Sequence, residues 1–350
     1  MYSINQKQNQ NQTPDKNENE SQHSIPNPII TCFIMGGLGN QLFQIATTIA
    51  YAIRYKCVFL FPYTIEVFKN RFSYWDSFLL SLKKFTTEHP ECKRTITDLH
   101  YLSKFPERAF HFTPIPNIGK SVCLQGYFQS YLYFEQEKES IFKMFRLREQ
   151  QEKIFSEYSE YFVDANTNTR DTITISIHFR LGDYLFLPDH HPILPLSYYE
   201  YALEYILSRL SKDDNQKRIR ILYFCEKNDY SIVAKNIELL ELKFSFYSIE
   251  FIKVEDDIED WKQMLIMSLC QHHIIANSTF SWWGAYFHGT CGAYFHGTCG
   301  AYFHGTYTCG LYKEEKENET MITYPSIWFG PKLQDKIVAD LFPKQWTKIN

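Results

Sequence analysis

The stretch ISIHFRLGDY, residues 175–184, sets His178, Arg180 and Asp183 directly behind an apolar run in which Ile173, Ile175 and Ile177 alternate with Thr174 and Ser176. Such alternation predicts a β-strand, and the polar residues mark its carboxyl end. A guanidinium there can hold a phosphate through two parallel hydrogen bonds. His178, two positions before Arg180, faces the same side if the strand continues. Asp183 could orient the arginine or take a proton. The same segment also reads as a structural Arg180–Asp183 ion pair beside a core histidine.

Two further polar clusters fall where strands should end. GGLGNQ, residues 36–41, separates the apolar run IITCFIM from a helical pattern. Its glycines allow a tight turn and close approach of a ligand, and the helix start offers free N–H groups to an anion. Gly37, Gly39, Asn40 and Gln41 are therefore candidate phosphate contacts. The motif lacks the Lys and Ser/Thr of a P-loop and does not fit GxGxxG, so a purely structural turn remains equally open. In ANSTFSWWGAYF, residues 276–287, Asn277, Ser278, Thr279 and Ser281 crowd the start of an apolar helix. They can cap it, bind phosphate beside it, or do both. Asn277-Ser278-Thr279 is also formally a glycosylation sequon, discounted because a secreted protein is not expected.

The elements that must position these clusters follow from periodicity. A strand at 29–35, a helix at 40–55 and a strand at 56–61 predict βαβ and a parallel sheet. A strand at 122–128 and an amphipathic helix at 133–147 close this first half, and residues 63–120 cannot be ordered. The second half alternates again: strands at 173–179, 218–225, 244–249 and 272–276, and helices at 197–210, about 230–240 and 260–270. The expected organisation is a disordered polar tail (1–28), an N-terminal α/β domain (29–165) and a C-terminal α/β domain (166–350). Both domains are doubly wound, and a ligand sits in the cleft beyond the strands' carboxyl ends.

Bulk properties narrow the function. The chain has 350 residues, a hydrophobic fraction of 44% and a formal charge of −4, so it can bury a core and shows no polybasic field for nucleic acid. Its 17% aromatic content is mostly a demand of core packing. Nine scattered cysteines without CxxC pairs fit a reducing compartment, so a cytoplasmic location is expected. No apolar run reaches the roughly 20 residues of a transmembrane helix.

The blocks GGLGNQLFQIA, LQGYFQSYLYF, SIHFRLGDY, LSYYEYALEYI and DWKQMLIMSLCQHHIIANSTFSWWGAYF resemble, in order, those of glycosyltransferase family 11, the α-1,2-fucosyltransferases. The resemblance runs from Ile29 to Gly330. It implies a two-domain glycosyltransferase-B fold, GDP-β-L-fucose as donor substrate, no cofactor and no required metal. It further implies inverting transfer to the 2-hydroxyl of a terminal galactose on a glycan acceptor. By position, Arg180 would hold the donor diphosphate and His178 would lie by the guanosine. Ser278, Thr279 and Ser281 would lie near the phosphates, with Gly37, Gly39, Asn40 and Gln41 facing them. Asp183 is the candidate base, or else positions Arg180.

The sequence also departs from that pattern. Leu181 replaces the second arginine of HxRRGDY, and the turn after the middle strand is FCEKND, beginning at Cys225 and Glu226. An octapeptide repeats in GAYFHGTCGAYFHGTCGAYFHGTY, residues 284–307, and only its first copy belongs to the family block. His288, Cys291, His296 and Cys299 could ligate zinc, but a tandem duplication forming a tolerated surface loop is simpler. These departures keep a GDP-sugar-binding protein without transfer activity, or an enzyme with another acceptor, as alternatives.

Overall fold

The structure is a computed structural model and describes residues 27–67, 71–162, 172–210, 218–289 and 320–350. The expected polar tail up to residue 26 and the octapeptide repeat from residue 290 onward lie outside the described residues.

The chain begins with β1 (Ile29–Cys32), α1 (Leu38–Tyr55) and β2 (Val58–Phe59). Helix α1 is long and apolar on its inner face, and it ends where Lys56 turns left-handed (φ 54°) and donates its N–H to the carbonyls of Ala52 and Ile53. A short antiparallel pair follows, β3 (Glu66–Val67) and β4 (Arg71–Phe72). Next come α2 (Ile96–His100), held by a Thr95–Asp98 capping box, then β5 (Ser103–Pro106) and β6 (Val122–Gln125). Strands β2, β1, β6 and β5 lie in that order in one parallel sheet. The amphipathic segment at 133–147 is not one helix. Two 3₁₀ turns precede α3 (Lys138–Phe145), and Arg146 at φ 52° breaks it from α4 (Leu147–Glu157).

The second sheet is built from β7 (Thr172–His178), α5 (Leu196–Leu207), β8 (Arg218–Phe224), α6 (Tyr230–Lys243) and β9 (Ile249–Lys253). It continues with α7 (Asp260–Ser268), β10 (His272–Ile274), α8 (Thr279–Tyr286), β11 (Ile322–Pro325) and β12 (Thr347–Ile349). All neighbours in the order β12-β11-β10-β7-β8-β9 are parallel. Every residue of β7 is buried, as a central parallel strand covered on both faces requires. The strand expected at 244–249 is displaced. Phe244 caps α6, its N–H reaching the Leu240 carbonyl, and the pairing strand starts at Ile249.

The two sheets are joined by an apolar seam. Phe43 of α1 packs on Trp282 and Trp283 of α8, with ring centroids 4.5 and 5.1 Å away, and Phe134 stacks on Trp283 at 5.4 Å. Both indoles also find acceptors: Trp283 Nε1 donates to the Gly39 carbonyl at 2.9 Å and Trp282 Nε1 to that of Leu341 at 3.0 Å. Gln151 of α4 adds hydrogen bonds to Ser268 and the Phe287 carbonyl. No helix of the described residues is long and apolar enough to cross a membrane.

Candidate active site

The β7–β8 register pairs His178 with Phe224, so the chains leave the sheet side by side and Arg180 meets Glu226 two residues on. Arg180 is gripped by two carboxylates, Nη1 bonding Glu226 and Nη2 bonding Asp183 at 2.6 Å. Burial opposes the guanidinium's charge, but Glu226 and Asp183 outweigh it and hold Arg180 more firmly protonated than usual. A second arginine reaches in from β4 of the short antiparallel pair, with Arg71 Nη2 3.6 Å from the second oxygen of Asp183. Asp183 thus has each oxygen beside a guanidinium, a geometry that suits orienting arginines. Gly182 turns left-handed (φ 38°), its N–H bonds Asp229, and a Cβ there would lie 2.7 Å from Glu226.

Tyr184 lies under Arg180, whose Cζ is 5.1 Å from the ring centroid, and stacks on His191 at 4.7 Å. Its hydroxyl donates to the Asn277 carbonyl, tying this loop to the turn before α8. His178 is buried against Phe280, and burial together with the Arg180 charge pushes its pKa down to about 3, so the ring is neutral. His191 is also depressed, mainly by burial. Four buried polar atoms in this contiguous cluster have no partner among the described residues: Arg180 Nε, His178 Nδ1, His191 Nδ1 and Asn277 Oδ1. Buried polar groups are ordinarily satisfied, so such a concentration marks a place where a polar ligand completes the bonding.

The helix starts converge beside this cluster. Ser278 caps α8 by accepting the Phe280 N–H, and Ser281, fully buried, bonds back to the Ser278 carbonyl. Asn277 Nδ2 donates to the carbonyls of Pro192 and Trp328. Thr279 donates to Asn40 Oδ1, which also accepts from Gln129. Gly39 packs directly on α8, where a Cβ would fall 2.5 Å from the Thr279 carbonyl carbon. Gln41 donates to the Gly36 and Phe72 carbonyls, linking α1 to the strand that carries Arg71. Ser281, Asn40 and Gln41 are therefore engaged within the protein. Gly37 differs: it caps α1 without a side chain, and a Cβ there would meet nothing within 4 Å, so α1 opens onto free space.

The structure brings His178, Arg180, Asp183 and the start of α8 into one cluster, with α1 beside it. Sequence reasoning missed Arg71, Tyr184 and His191. The FCEKND turn had pointed to Glu226 as a departure without showing its contact to Arg180. Leu181, where a second arginine would stand, is buried in the core of the second sheet. Among the described residues no group of three or more His, Cys, Asp or Glu side chains could hold a metal ion; the zinc reading of the repeat rests on Cys291, His296 and Cys299, outside those residues.

The profile described as glycosyl transferase family 11 matches residues 4–298. The O-antigen biosynthesis glycosyltransferase WbnK of Escherichia coli is 29% identical over 178 residues, covering 48% of this chain and 51% of that protein. The chain thus spans about half the length of that relative. An alpha-1,2-colitosyltransferase of Escherichia coli is 25% identical over 290 residues, 74% of this chain and 87% of that protein. Among solved structures, NodZ alpha-1,6-fucosyltransferase co-crystallised with GDP aligns with a TM-score of 0.43 at 14% identity, over 76% of this chain and 93% of that one. POFUT1 in complex with GDP-fucose aligns at 0.41 and 14%, over 77% and 96%. Similarity at this structural level carries no functional weight. The family profile, in contrast, spans well over half of the sequence and includes every candidate site residue, and the chain belongs to glycosyl transferase family 11.

Proposed function

We propose that the chain is an inverting glycosyltransferase that moves L-fucose from GDP-β-L-fucose to the 2-hydroxyl of a terminal galactose on a glycan, forming an α-1,2 linkage. The observation that supports this best is the Arg180 cluster, where the guanidinium, its Nε unpartnered among the described residues, and three further unpartnered polar atoms lie at the carboxyl end of β7 beside two helix N-termini. In this reading Arg180 exchanges a carboxylate for the donor diphosphate and offsets the charge that builds up as GDP departs. The starts of α1 at Gly37 and of α8 at Ser278 and Thr279 point backbone N–H groups at the same phosphates. Neutral His178 lies by the guanosine. Asp183 keeps Arg180 and Arg71 in register, and the acceptor's proton passes to a group not identified among these residues.

No metal is needed to meet the diphosphate charge on this account, so transfer persists in EDTA. Six cysteines among the described residues are unpaired, which supports a reducing, cytoplasmic setting. A second reading rests on the colitosyltransferase relative, which matches over most of its own length. In it the same site takes a colitose donor. A competition between the two nucleotide sugars, with products separated by mass, decides: mainly fucosylated galactoside supports the proposal, and mainly colitosylated galactoside replaces it.

A further inference from the structure

A cavity of about 980 Å³ lies away from the Arg180 cluster, between the 3₁₀ turn at Leu80–Phe85, the α3–α4 junction and the start of α7. Its size is at the upper end for small-molecule sites, roughly 300–1,000 Å³. Phe78, Leu80, Phe85, Phe145, Ile154 and Trp261 give it an apolar lining. The walls are fixed by hydrogen bonds: Ser81 Oγ donates to the Met144 carbonyl, and Gln150 Nε2 spans the carbonyls of Phe78 and Phe145.

The charged residues around it are unbalanced. Lys84, Lys143, Arg146 and Lys153 line the cavity, all are exposed, and none forms an ion pair among the described residues. The only acidic residue in the lining is Asp76, already bound by Lys83 at 2.6 Å and by the Tyr63 hydroxyl. In a chain of formal charge −4, this cluster runs against the overall balance. Trp261 Nε1 is a further unused donor, shielded from solvent and without an acceptor among the described residues. Arg146 also caps α4 with no side-chain hydrogen bond, leaving that helix start open to an acceptor.

We infer that this cavity binds an amphipathic anion, a phosphate carried on a hydrocarbon chain, with the chain on the aromatic lining and the phosphate among Lys84, Lys143, Arg146 and Lys153. An apolar lining alone would suit any hydrophobic compound, and a cationic rim alone any small anion. Their combination selects a molecule with both parts. The site is separate from the donor site and does not depend on the reaction assigned to it.

The test uses the full-length chain and monomeric dodecyl phosphate, with binding followed by calorimetry and by tryptophan fluorescence. Dodecyl phosphate should bind in competition with neither GDP nor its analogues. Hexyl phosphate should bind more than tenfold more weakly, because six fewer methylenes are buried on the aromatic lining. Inorganic phosphate and dodecyl maltoside should both bind weakly. The double charge reversal Lys143→Glu with Lys153→Glu should weaken dodecyl phosphate by at least about tenfold, with GDP binding and thermal midpoint unchanged as evidence of an intact fold. Trp261→Phe, which leaves a smaller aromatic ring and removes the donor, should give a smaller loss. Equal binding of inorganic and dodecyl phosphate, equal binding of the maltoside, or an unaltered affinity in a folded double variant would overturn the inference.

Discussion

Replacing Glu226 by glutamine isolates the electrostatic logic of the site. Glu226 and Asp183 share the Arg180 guanidinium, and a diphosphate can engage it fully only by displacing one of them. The pair lies in intermediate surroundings, the Arg180 side chain being 21% exposed and that of Glu226 50%. Unit charges at contact distance with an effective dielectric of about 20 would attract by about 4 kcal/mol, an upper bound. Solvent at the half-exposed Glu226 screens this to about 1 kcal/mol. Neutralising Glu226 without changing its shape should therefore tighten GDP by about fivefold. Guanosine, which has no phosphate to compete for Arg180, should bind unchanged. Isothermal titration of GDP and guanosine to both proteins reads the two effects separately. An unchanged or weaker GDP affinity in Glu226→Gln would refute the displacement argument and make Glu226 a group that holds Arg180 in its binding posture.

Three other perturbations test separate parts of the account. Asp183→Asn keeps a hydrogen-bond acceptor for the arginines, so turnover should fall only several-fold; a loss in the range of about 100-fold to 10,000-fold would instead make Asp183 the base. Gly39→Ala drives a methyl into the Thr279 backbone and should lower stability by about 1–3 kcal/mol, visible as an earlier urea midpoint. An unmoved midpoint would mean the seam between α1 and α8 yields freely. Burial holds the folded pKa of His178 near 3, below its ordinary 6.5, so the unfolded chain binds an extra proton in acid. Stability from this group is present above pH 6.5 and falls as pH drops from there towards 3. His178→Gln should flatten that limb by up to one proton, and an identical slope would show the ring is charged in the folded protein.

The sequence was most legible where local pattern and burial agree. The alternation in TITISIHF found β7, and the run from Leu42 to Ile53 found α1, because both elements bury a regular face. FSFYSI misled because its aromatics suit a strand, yet Phe244 serves as the end of α6 and the edge strand begins beyond it. Strands β5, β11 and β12 are short and carry little periodicity of their own; they are defined by the neighbours they pair with.

The site was legible by the same measure. Arg180 and Asp183 share one turn, and the hydroxyl cluster of α8 stands together in sequence. Arg71 and Glu226 join them only because β4, held to α1 through Gln41, brings Arg71 to Asp183 and β8 runs beside β7. The glycine-rich turn was only partly readable. Of its residues Gly37 opens onto free space, and Gly39 and Asn40 are consumed by contact with Thr279, a distinction that depends on the other sheet.

In the proposed reaction Arg180 clamps the donor diphosphate during transfer. This role is tested most directly by GDP release from GDP-fucose on addition of a terminal β-galactoside in EDTA, comparing the native chain with Arg180→Ala. Acceptor-dependent release is expected in the native chain and should fall by about 100-fold to 1000-fold in the variant. Release at an undiminished rate in Arg180→Ala, or GDP binding with no transfer by the native chain, would contradict it.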